Sequence, residues 1–232
     1  MLLSSEGIVL GSIKYGDSSI ISHVFSKEKG LISLISSTSK KGKSSFKSYL
    51  QPLCFIDFVC YNSKKSSISR IKEVSFCADY NEFQADVSTN SLRYFIAEFL
   101  GKIIKEEEQN HSLYHFLERE LKQLQDVKQK GGLHITFLID LLSELGLQPH
   151  LNADDSYFDL IEGTSVNQKP RHQDFYDREV LILFQNAALN RSISAKNERT
   201  TLLNALLRYY SIQLNIDLEN LKTKQVFEVV FS

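Results

Sequence analysis

Between residues 6 and 76, apolar and polar positions alternate in short runs separated by turn residues, a period of two that predicts strands. The predicted strands cover residues 7–13, 18–25, 31–36, 50–61 and 68–76. Gly16-Asp17 closes the first turn and Lys27-Glu28-Lys29-Gly30 the second, because Gly and Asp tolerate the backbone angles of tight turns. Ile20, Ile21, Val24 and Phe25 supply the β-branched and aromatic side chains of a half-buried strand. In the fourth run Cys54, Ile56, Phe58 and Cys60 alternate with Phe55, Asp57, Val59 and Tyr61, so both faces carry apolar groups and the strand is expected to be covered on both sides.

From residue 86 the period changes. Leu92, Phe95, Ile96, Phe99, Leu100, Ile103 and Ile104 recur at three- and four-residue spacings behind candidate caps at Ser88 and Thr89. Leu113, Phe116, Leu117, Leu121 and Leu124 make the stripe of a second helix, with Asn110 ahead of it. A third, very apolar helix is predicted over 133–145, stopped by Gly146 with Pro149 beyond. Residues 146–175 break the pattern, with one short strand expected at 157–161. Helices return over about 177–189, 198–214 and 218–231. The expected fold is α+β. A five-stranded OB-fold β-barrel (residues 1–80) precedes an all-helical domain (81–232) with a short irregular or hairpin insertion at about 147–175.

The hydrophobic fraction of 42% and charged fraction of 24% exclude a disordered chain. A net charge of −1 conceals an asymmetry: residues 1–80 carry eleven Lys/Arg against six Asp/Glu, and residues 81–232 carry sixteen against twenty-two. That split fits an N-terminal part that meets a polyanion, or a dipolar protein with no such partner. Cys54, Cys60 and Cys77 are odd in number and contain no C-x-x-C, and the N-terminus lacks an apolar leader core. Reduced thiols in a cytosol are expected. No apolar run approaches the ~20 residues of a membrane helix.

The basic segment 38–47 carries Lys40, Lys41, Lys43 and Lys47 and no acid. Lysines so spaced neutralise phosphates, and Phe46 and Tyr49 would offer π-faces to unpaired bases. The competing reading is a solvated loop with both aromatics turned into the core; the Ser/Lys/Gly composition beside a five-strand pattern favours binding. Arg70 and Lys72 share one face of the fifth strand by its two-residue period. Gly42-Lys43-Ser44 imitates the end of a P-loop, but Ser37 stands where its first Gly belongs. His111 and His115 have the i, i+4 spacing of metal ligands without the Glu of H-E-x-x-H or a third ligand, so two surface histidines are expected. With no nucleophile-elbow or dinucleotide fingerprint either, nothing marks an active site, a metal or a cofactor, and a binding protein is favoured over an enzyme.

Gly7-Ile8-Val9-Leu10, Tyr15-Gly16-Asp17-Ser18-Ser19-Ile20-Ile21 and Phe25-Ser26-Lys27-Glu28-Lys29-Gly30, followed by the basic segment and Gln51-Pro52, resemble the N-terminus of the RecO family of bacterial recombination mediators. Leu142 to Pro149 (LSELGLQP) resembles that family's "LLxxLGxxP" helix end, and the resemblance extends more weakly over Leu206, Tyr209 and Tyr210 and Leu221-Lys222-Thr223. It implies an OB-fold joined to a helical domain in a cytoplasmic, nucleoid-associated protein. It further implies binding of single- and double-stranded DNA, annealing of complementary strands, and recognition of the C-terminal tail of single-strand-binding protein. With RecR, such proteins help RecA load onto coated DNA. By position, the DNA contacts would fall to Lys40, Lys41, Lys43 and Lys47, with Arg70 and Lys72 beside them. Many members hold zinc through four cysteines after the "LGxxP" helix, but residues 149–170 contain no cysteine here. No zinc is expected, and the insertion should be held by its own packing as a hairpin through Tyr157 to Val166. The alternative function is an OB-fold protein-interaction adaptor without intrinsic DNA binding.

Overall fold

A computed structural model describes residues 2–37, 46–61, 67–78, 86–105, 108–126, 132–189 and 195–231. Its compact units are residues 1–127 and 128–232. The two helices that follow the strands fall in the same compact unit as the strands.

In the first unit, strands β1 (Leu2–Tyr15), β2 (Ser19–Ser26), β3 (Gly30–Ser37), β4 (Phe55–Tyr61) and β5 (Ile68–Phe76) form a closed barrel in the order β1-β2-β3-β5-β4. β1 closes it because its length serves two partners: Leu2–Ile8 pairs β4, and Gly7–Tyr15 pairs β2. β3 and β5 meet in parallel over Ser33–Ile35 and Ile68–Arg70, which leaves no free sheet edge. Val9, Val24, Ile32, Leu34, Ile56, Phe58, Cys60 and Ile71 fill the interior. Gly7 permits this closure, since a Cβ there would lie 2.5 Å from Val24 Cγ1.

The predicted fourth strand is shorter than expected. Phe46–Ser48 is a 3-10 helix, and pairing with β1 begins only at Phe55. Pro52 has no N–H to give a ladder, and Leu53 takes a left-handed φ of 58° that aims its N–H at the Val9 carbonyl, 2.7 Å away. Nor is β4 covered on both faces along its length, because Asp57 and Tyr61 are exposed.

Helix α1 (Val87–Ile103) is capped by Asp86, whose carboxylate accepts the Thr89 N–H at 2.8 Å, rather than by Ser88 or Thr89. Those two hydroxyls donate to the same carboxylate. A β-bulge in β1 between Val9 and Gly11 turns Leu10 outward to α1 at Gly101. Asn110 caps helix α2 (His111–Asp126) through the Leu113 N–H, as its position ahead of the stripe suggests. Tyr114 of α2 packs its ring 6.0 Å from Phe25, and burial pushes its phenol well above the ordinary value.

The second unit contains α3 (Leu133–Glu144), a three-stranded sheet in the order β7-β6-β8, then α4 (Arg178–Ala188), α5 (Lys196–Leu214) and α6 (Lys224–Phe231). β6 (Tyr157–Asp159) and β7 (Thr164–Val166) form the expected hairpin. β8 (Phe175–Asp177) pairs on the other side of β6 at the end of the stretch the sequence pattern leaves irregular, directly before α4. The last helix is also shorter than its apolar pattern, because residues 218–223 turn instead. Phe158 of β6 packs between Phe184 of α4, edge-on at 4.8 Å, and Tyr209 of α5, tilted at 5.3 Å. Tyr210 is fully buried and donates to the Leu138 carbonyl at 2.7 Å.

The carboxylates of the insertion are held by hydrogen bonds within it. Asp155 accepts from Ser165 Oγ and Asn152 Nδ2, while Asp159 accepts from the Ile161 and Glu162 N–H groups and pairs with His172 Nε2 at 3.0 Å. These carboxylates are spent holding turns, and among the described residues no cluster of His, Cys, Asp or Glu suits a metal.

Candidate nucleic-acid interface

Strand register fixes which side chains share the outer wall of the barrel. Arg70 on β5 lies opposite Tyr61 on β4 and Ile35 on β3, and Tyr61 lies opposite Leu2 on β1. Directly opposed side chains share a face roughly 5 Å apart, so Arg70 and Tyr61 present a cation and an aromatic side by side. Both are exposed, Tyr61 by 51%. Tyr61 can stack on a base while Arg70 reaches a phosphate.

Lys72 does not repeat the environment of Arg70. Cys60 pairs with Ile71 and Val59 with Glu73, so Lys72 falls on a β-bulge that breaks the two-residue period. It lies 2.9 Å from Glu73, and this hydrogen-bonded carboxylate raises its pKa. Lys27 is tied in the same way to Glu6 at 2.8 Å, and that hydrogen bond likewise raises its pKa. These two lysines bring a carboxylate with them, which lowers the net attraction they offer a phosphate chain.

Lys47 is exposed on the 3-10 helix, where its carbonyl accepts the Gln51 side chain at 2.9 Å. It belongs to a different feature from Arg70, a cleft at the β1–β2 end that also contains Lys14 and Tyr94. Lys40, Lys41 and Lys43 lie outside the described residues, as does the P-loop-like Gly42-Lys43-Ser44. The flanking aromatics do not offer free faces. Phe46 and Tyr49 pack against the barrel core, and the Tyr49 ring sits 4.6 Å from that of Phe76. The apolar environment beneath the barrel end outcompetes solvent for both rings.

Among the described residues the exposed aromatics lie elsewhere: Tyr15 at 54%, Tyr61 at 51% and Tyr94 at 49%. One signal in the sequence could have found Tyr94. It falls off the stripe of Leu92, Phe95, Ile96 and Phe99, so a helix that buries the stripe leaves it outside. His111 and His115 stack with ring centroids 6.4 Å apart, and His115 contacts Glu118 at 3.4 Å.

Comparison with known proteins covers the whole chain. The family model described as Recombination protein O N terminal matches residues 1–80, and Recombination protein O C terminal matches residues 84–223. Proteins named "DNA repair protein RecO" from Porphyromonas gingivalis (31% identity), Bacteroides fragilis (30%) and Flavobacterium psychrophilum (28%) align over 100% of this chain and 100% of their own.

Proposed function

The chain belongs to the recombination protein O family, and from that membership we propose that it is a non-catalytic DNA repair and recombination mediator. Relatives named for DNA repair support the broad role. In this reading the barrel binds single- and double-stranded DNA without sequence preference and anneals complementary strands. The helical part engages RecR and the tail of single-strand-binding protein, so that RecA loads onto coated DNA in the cytoplasm, at the nucleoid. Among the described residues no helix is long and apolar enough to cross a membrane.

The observation that carries the reading is the closed barrel's wall, where Arg70 stands beside an exposed Tyr61. Cations and aromatics of this kind contact phosphates and base faces, and both are the same in every sequence. Lys40, Lys41, Lys43, Lys47, Arg70 and Lys72 are the proposed DNA contacts.

The test is fluorescence anisotropy of labelled single- and double-stranded oligonucleotides, titrated at several salt concentrations. Binding should weaken steeply with salt, and replacing Lys40, Lys41, Lys43 and Lys47 together by Ala should flatten the slope for single strands by up to about 3. An unchanged slope would remove this segment from the site. The net charge of −1 favours the second reading, an interaction adaptor. Wild-type protein that binds neither DNA would select it.

A further inference from the structure

A cleft of about 560 Å³ opens in the first unit where β1, β2, the 3-10 helix and α1 converge, lined by Lys14, Asp17, Ile20, Lys47, Gln51 and Tyr94 among others. That volume is in the range of small-molecule sites. Its walls are held in place by hydrogen bonds from every side. Ser12 Oγ donates to the Leu50 carbonyl at 3.0 Å and lies 2.7 Å from Ser22 Oγ. Arg93 of α1 donates to the Pro52 carbonyl at 2.7 Å, which ties the helix bearing Tyr94 to the turn that forms the opposite wall. The Leu53 and Gln51 bonds described above complete the frame. The cleft is therefore preformed, and a ligand need not order it.

Its chemistry is mixed in a specific way. Two ammonium groups, Lys14 and Lys47, stand with one carboxylate, Asp17, so the lining keeps a net positive charge. Tyr94 is half exposed, and neighbouring Ile13 is 55% exposed, so an aromatic and an aliphatic face border the same opening. A phosphate satisfies the lysines, a flat base satisfies Tyr94, and the amino edge of a base can donate to Asp17. These elements occur together in a nucleotide.

We propose that the cleft seats one unpaired nucleotide of a bound strand, its base against Tyr94 and its flanking phosphates at Lys14 and Lys47. The proposal rests on the DNA-binding reading above and adds to it a site that distinguishes single strands from duplex. A paired base is stacked between its neighbours and cannot enter, so duplex DNA has only the outer wall to bind.

The test is anisotropy with the full chain, using a labelled ~20-nucleotide single strand and the matching duplex. Tyr94→Ala should weaken single-strand binding about tenfold and leave duplex binding within twofold, the scale expected for one lost base–aromatic stack. Tyr94→Phe should retain wild-type affinity, and Lys14→Ala should reduce the single-strand salt slope by about 0.7. Because Tyr94 is half exposed, unchanged thermal melting will confirm that the variants fold. Tyr94→Ala that leaves single-strand affinity unchanged, or weakens both DNAs equally, overturns the cleft assignment but not DNA binding. Wild-type protein that binds neither DNA overturns both.

Discussion

His134 makes the second unit sensitive to acid. It is 3% exposed on α3, with its ring 4.8 Å from Phe227 and 5.8 Å from Phe231 of α6. Nδ1 has no hydrogen-bond partner. The pocket around it also holds Arg199 of α5 and Glu228 of α6. Burial first, and the charge of Arg199 second, lower its pKa from 6.5 to about 3. A folded-state pKa below the unfolded value means that the unfolded chain binds the extra proton between those two pH values. Stability contributed by the neutral imidazole is thus full above pH 6.5 and is lost progressively as pH falls toward 3. At pH 5.0 the loss is about 2 kcal/mol relative to pH 7.5, and it depends almost entirely on the unfolded pKa because the folded form remains neutral there. Urea denaturation of the wild type and His134→Leu, followed by circular dichroism at both pH values, isolates this proton because other titrating groups cancel in the comparison. Leu preserves the apolar packing and removes the ionisable ring. The variant should gain about 2 kcal/mol on the wild type between pH 7.5 and 5.0. A stability difference that stays constant with pH, or a His134 resonance titrating near its ordinary 6.5, would refute the reasoning.

Other perturbations test the barrel and its charges. Gly7→Ala would push a methyl to 2.5 Å from Val24 Cγ1 and 3.1 Å from Phe58, and should cost about 1–3 kcal/mol in thermal or urea unfolding. Tyr210→Phe removes a buried donor from the Leu138 carbonyl and should cost about 1–2 kcal/mol by the same assays. Glu73→Gln frees Lys72 from its carboxylate and removes one negative charge beside it, and DNA affinity should rise with the gain largest at low salt, read by anisotropy. Arg70→Ala should weaken duplex binding and reduce its salt slope by about 0.9.

Much of this molecule is written locally. The alternation of Ile56, Phe58 and Cys60, the turns at Gly16 and Gly30, the Asn110 cap and the stop at Gly146 each depend on a few neighbouring residues, and each is legible without a fold. The family resemblance was legible for the same reason, since it rests on runs such as Tyr15-Gly16-Asp17 and the helix end at Pro149. The candidate interface was less so. The lysines of residues 38–47 were conspicuous as composition, but composition does not say that Phe46 and Tyr49 turn inward or that Lys72 sits on a bulge beside Glu73.

Those outcomes were decided by pairing across the chain. Arg70 meets Tyr61 only because β4 and β5 adopt one register, and a single unpaired residue changes every position beyond it. The Lys14–Lys47–Tyr94 cleft joins a strand, a 3-10 helix and a helix that are far apart in sequence, through bonds such as Arg93 to Pro52. Propensity and spacing act within a few residues, and so they determined which elements form. Which side chains share a surface depends on long-range packing, and only the folded barrel decided it.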